Sequence, residues 1–206
     1  MTSCAKQERL ALADLLSQIG PDRPTLCEGW TTRDLAAHLV LRERRPDAAG
    51  GIVLPALSAY TERVQRKIAL RPFENLLTKI LVGPPAILRP VDTIMNTVEY
   101  FVHNEDIRRA QPGWTPRPPD PTLEDQLWGR LRKMSRFMFR SSPVGVVLNR
   151  SDEGAILAKR SGLTVTITGQ PSELTLFGFG RGSHANVELV GSPDAVQRLR
   201  DTRLGL

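Results

Sequence analysis

Cysteine, histidine and aromatic residues are scarce in this chain. Its 206 residues include two cysteines, three histidines, three tryptophans and two tyrosines, and aromatic side chains make up 5%. Two cysteines cannot staple a disulfide scaffold, which excludes a cystine-rich module, and Cys4 and Cys27 are expected to be free thiols. Long apolar runs are also missing. The longest stretch without a charge, Ala48 to Thr61, is interrupted by Gly50, Gly51, Pro55 and Ser58, and it falls short of the roughly 18 apolar residues of a membrane-spanning helix. The opening MTSCAKQERL has no apolar segment of the secretory kind, so a cytoplasmic location without membrane contact is expected. No run of basic residues exceeds two. Residues 1–110 carry 15 basic and 13 acidic side chains, residues 111–206 carry 13 and 9, and the signs interleave. The net charge of +6 is therefore spread out, and a nucleic-acid partner is not expected.

What is present is ordinary globular material, 40% hydrophobic and 24% charged, enough to bury a core. Apolar residues recur at helical spacing from Gln7 to Ile19 and stop at Gly20-Pro21. Thr31 with Asp34 resembles a capping box for a helix from Thr32 to about Arg45. Further helices are predicted over Leu54–Leu70, from Pro72 to Val82, over Thr93–Ala110 behind an Asp92 cap, and from Thr122 to about Arg140. After Ser141 the character changes. VGVVLNR, GAILAKR, LTVTITG and NVELVG are short, β-branched and bounded by turn residues, so they read as strands. Pro171–Arg181 fits a helix about as well as a strand, and Ser192-Pro193-Asp194 opens a last short helix. The expected class is α+β: a helical domain over residues 1–140 and a small α+β domain over residues 141–206.

The three histidines are His38, His103 and His184. Glu99 and His103, four apart, share one face of their helix, at the border of an apolar arc of Ile94, Met95, Val98, Phe101 and Val102. His38 flanks the buried stripe of Leu35, Ala36 and Leu39 on another helix. Two such flanks facing each other in a bundle offer imidazole, carboxylate and imidazole to one cation, with a fourth position open. Spacing alone equally allows a solvated Glu–His pair and a hydrogen-bonded, half-buried His38, and no HExxH or CxxC signature decides between them.

The segments LCEGWTTRDLAAHLVLRERRPDAA and NTVEYFVHNEDIRRA resemble the mycothiol-dependent maleylpyruvate isomerase family, within the DinB-like metal-binding proteins. The tail GQPSELTLFGFGRG with VELVGSP is similar to that family's sterol-carrier-like C-terminal domain. The resemblance implies a four-helix bundle holding a divalent metal, zinc first, through His38, Glu99 and His103. It further implies mycothiol as cofactor and an isomerase or thiol S-transferase acting on a small electrophile. A non-catalytic metal- or ligand-binding module is the alternative. Around these residues, Arg42, Arg45, Arg108 and Arg109 can fork onto ligand carboxylates, stay solvated, or pair with Glu43, Glu105 and Asp106. Asp34 or Asp106 can orient an imidazole, with Asp34 equally placed to serve the helix start. Trp30 is expected to staple its loop to the bundle, Cys27 to be a small buried residue, and His184 to stand apart.

Overall fold

The structure, a computed structural model, describes residues 3–52, 54–85, 89–150 and 154–205, without the side chains of Pro55 and residues 89–95. The first helix, α1 (Cys4–Ile19), is capped by the Ser3 hydroxyl and closes on Gly20 at φ 81°, a left-handed conformation that glycine adopts at no steric cost. Next comes α2 (Thr32–Arg44). After the single turn α3 (Pro46–Ala49), the chain makes two 3-10 turns at Gly50–Ile52 and Pro55–Leu57. The helix expected to begin at Leu54 therefore starts at Ser58, as α4 (Ser58–Ala69). Close approach of the backbone explains the interruption, because a Cβ on Gly51 would sit 2.4 Å from the Leu57 carbonyl oxygen.

The next two helices are α5 (Phe73–Val82) and α6 (Arg89–Arg108). Asp92 lies inside α6 rather than ahead of it, and its side chain, with those of Ile94 and Met95, is outside the described residues. Helix α1 packs along α6 and α5, while α2 packs on α4 and α5. Their shared core contains Leu12, Leu16, Leu35, Leu39, Leu76, Ile80 and Tyr100. A polar seam crosses it: Arg9 pairs with Glu43 at 2.9 Å, and the Tyr100 hydroxyl donates to the same carboxylate.

Packing divides the chain into residues 1–115 and 116–206, whereas the change in composition suggested a division near 140. Helix α7 (Pro121–Met138) accounts for the difference. Its apolar side chains Trp128, Leu131 and Met138 join the core of the strands, and it packs against α8 (Pro171–Gly178) and the strand Gly154–Lys159. The second unit holds β1 (Gly145–Arg150), β2 (Gly154–Lys159), β3 (Thr164–Thr168) and β4 (Glu188–Val190). Their order is β2-β1-β3-β4, with β1 parallel to β3 and the other pairs antiparallel. The ambiguous segment from Pro171 is helical, and α9 (Pro193–Arg200) starts behind a Ser192 cap. The fold is thus a helical N-terminal region followed by a small four-stranded α+β unit.

Candidate metal centre

Two helix segments and one loop build the site, all within residues 1–115. The start of α2 is fixed by a complete capping box, in which Thr31 Oγ1 accepts from the Asp34 N–H and Asp34 Oδ2 accepts from the Thr31 N–H at 3.0 Å. Asp34 is therefore a helix-start carboxylate, and His38 follows one turn later on a stable helix. The loop before α2 is tied to α6 by the Leu26 N–H, which donates to the Asp106 carbonyl at 2.9 Å. That bond brings Cys27 and Trp30 to the end of α6 on which His103 stands.

Glu99 Oε1 is the centre of the arrangement. It lies 3.3 Å from His38 Nε2 and 3.2 Å from His103 Nε2, and the ligand atoms of all three residues fall within 4.8 Å of one another. The imidazole centroids are 5.3 Å apart at 73°. Both histidines are buried, at 7% and 8% exposure, and the Trp30 ring packs 5.1 Å from His38. A tetrahedral centre with bonds of about 2.0–2.1 Å separates its ligand atoms by about 3.3–3.4 Å. The two carboxylate-to-imidazole distances are close to that edge, and the three side chains form a group that can hold a metal ion.

Behind this group, Asp106 Oδ2 accepts from His103 Nδ1 at 3.0 Å and from Cys27 Sγ at 3.2 Å. The Asp106 carboxylate is fully buried. Engaging Nδ1 in this way orients the ring and leaves Nε2 facing Glu99, the carboxylate–histidine arrangement usual behind metal-binding imidazoles. Burial acts against charge on the His103 ring, but hydrogen bonds with Asp106, Cys27 and Glu99 overcome it and hold His103 well above the ordinary imidazole range. Burial likewise opposes ionisation of Glu99, yet the two imidazoles and the Arg42 guanidinium keep it well below the usual carboxylate range. For His38 burial dominates and lowers its pKa.

The sequence-predicted residues thus divide clearly. His38, Glu99 and His103 come together, while His184 sits in the second unit beside Ser183 Oγ at 2.9 Å. Arg45 forks onto Asp47 at 2.8 and 2.7 Å. Arg108 and Arg109 both hold Glu105 at 2.6 Å. Arg42 is neither solvated nor paired with one of the expected acids: its Nε lies 3.4 Å from Glu99 Oε1 and its Nη1 donates to Asn96 Oδ1 at 2.5 Å. Cys27, expected as a mere packing residue, donates to the carboxylate that orients His103. The available sequence signal for Arg42 was its position four residues after His38, on the same helix face; Cys27 had none.

A search of curated proteins gave no match. Two solved structures share the fold across 93% of this chain and 96% of theirs, both at 15% identity: the crystal structure of the mycothiol-dependent maleylpyruvate isomerase, TM-score 0.62, and that of a histidine-to-alanine mutant of it, TM-score 0.60. The family model described as the mycothiol maleylpyruvate isomerase N-terminal domain matches residues 4–134. By that match, which takes in all three convergent side chains, the chain belongs to the mycothiol maleylpyruvate isomerase family.

Proposed function

We propose that His38, Glu99 and His103 hold one divalent cation, zinc by the character of its donors, and that the chain uses it as a mycothiol-dependent enzyme. The reaction is an isomerisation or an S-transfer on a small electrophile. The observation that carries this reading is the single Glu99 oxygen at 3.2 and 3.3 Å from two imidazole nitrogens, a spacing that suits three ligands of one ion. Such a cation supplies an open position where a thiol is held as the nucleophilic thiolate at neutral pH.

The chain's own residues do the rest. Asp106 holds the His103 ring by its Nδ1 proton, so that Nε2 presents its lone pair. Trp30 shields one side of His38. The burial of both imidazoles limits water around the reacting thiol and strengthens every charge interaction there. Reversible addition of the thiol permits rotation about the substrate's bond, and retained addition leaves a thioether product.

Cobalt substitution followed by mycothiol titration tests the reading. We expect one equivalent of cobalt and a thiol-dependent change in its visible spectrum. His103→Ala is expected to abolish metal retention, with far-UV circular dichroism unchanged. Full metal occupancy in that variant rejects the ligand assignment. An unchanged spectrum on adding mycothiol to the cobalt protein favours a closed, non-catalytic metal module instead.

A further inference from the structure

Of the arginines near this centre in sequence, Arg42 is the one that meets Glu99, and it is incompletely used. Arg45 grips Asp47 with two nitrogens and reaches Tyr60. Arg108 holds Glu105 and the Thr115 carbonyl, and Arg109 holds Glu105. Arg42 gives Nη1 to Asn96 and sets Nε against Glu99, and its Nη2 has no partner among the described residues. The side chain is only 17% exposed, yet Nη2 is not among the sealed, unpartnered nitrogens of the core. It is held in place at two points and open at the third.

Charge gives that opening a consequence. Two neutral imidazoles contribute nothing to the ligand charge, and the one negative charge of Glu99 is shared with the guanidinium of Arg42. A divalent cation placed there keeps nearly its full charge towards an incoming ligand, and two cations stand side by side around one carboxylate oxygen. Coulomb repulsion in a largely buried setting is costly, and a ligand carrying two negative groups relieves it. With Nε and Nη1 engaged, Nη2 can give a carboxylate one charge-assisted hydrogen bond.

We propose that Arg42 is the anion-recognition residue of the centre, receiving a carboxylate on its free Nη2 edge while the ligand's thiol occupies the cation's open position. The favoured ligand class is therefore a thiol, or a thiol adduct, that also bears a carboxylate. This rests on the metal reading above and adds to it the residue that selects the ligand.

The test compares two thiols of similar reach, 3-mercaptopropionate and 2-mercaptoethanol, titrated into the cobalt-loaded protein and read by the cobalt–thiolate absorption. The native protein is expected to bind the carboxylate-bearing thiol at least about tenfold tighter, as a charge-assisted hydrogen bond allows. In Arg42→Met the preference, read per bound cobalt, is expected to fall to about twofold or less. Arg42→Lys, which keeps the charge, should retain much of it. A preference that survives in Arg42→Met reflects chelation by the thiol itself and overturns the proposal, as does equal binding of both thiols by the native protein. If neither thiol alters the native spectrum, the thiol-dependent reading above fails, and the subsite fails with it.

Discussion

At the scale of single residues, the proposed centre sets a proton and a cation in competition for His103. Without metal the ring is held well above the ordinary imidazole value of about 6.5, because Asp106, Cys27 and Glu99 outweigh its burial. A group whose folded pKa is raised stabilises the fold fully below its unfolded value and loses that contribution as the pH rises through the folded one. Metal loading runs the other way, since the ring must lose its proton to bind. We therefore expect the metal-free protein to lose stability as the pH climbs from about 6.5 through that raised range, while zinc affinity rises across the same window. Thermal unfolding with and without zinc checks both slopes. In Asp106→Asn the ring loses a partner that raises its pKa, so the metal-free transition should move towards 6.5. Zinc affinity should also fall, by about 10–100-fold. Slopes of the same sign with and without zinc would contradict this account.

At the scale of elements, the site depends on how α2 begins. The Thr31–Asp34 box fixes the first turn of the helix that carries His38 and Arg42. Thr31→Ala is expected to cost about 1 kcal/mol, measured by urea denaturation. Such helix ends were legible in the sequence because a cap is a local device: Thr31 and Ser192 both sit next to the helices they start. The partners of α7 were not legible. Its stripe of Leu127, Trp128, Leu131 and Met138 announces a buried face, but periodicity says nothing about which core receives it. The candidate site divides in the same way. Spacing placed Glu99 and His103 on one face and His38 at the flank of a buried stripe, and family wording joined the three. The contacts of Arg42 with Asn96 and of Cys27 with Asp106 span 54 and 79 residues, and only the fold brings those together.

For the whole molecule, the two units differ in what they can do alone. The family match ends at residue 134, inside α7, whereas the packing boundary lies at Thr115. A fragment of residues 116–206 carries the complete second core, from Trp128 to Leu199. A fragment of residues 141–206 lacks α7 and exposes the sheet residues that pack against Trp128 and Leu131. We expect the longer fragment to unfold cooperatively and the shorter one to lack a cooperative transition, as followed by near-UV circular dichroism. Equal cooperativity in both would place α7 outside the folding unit.

Because histidine is so rare here, the molecule carries its own spectroscopic labels. A proton NMR spectrum contains ring signals from only three imidazoles: two that face the same carboxylate oxygen and one, His184, in the other unit. Binding at the centre should move the first two and leave the third as an internal standard, so occupancy can be followed in the unmodified protein without isotope enrichment or an added dye.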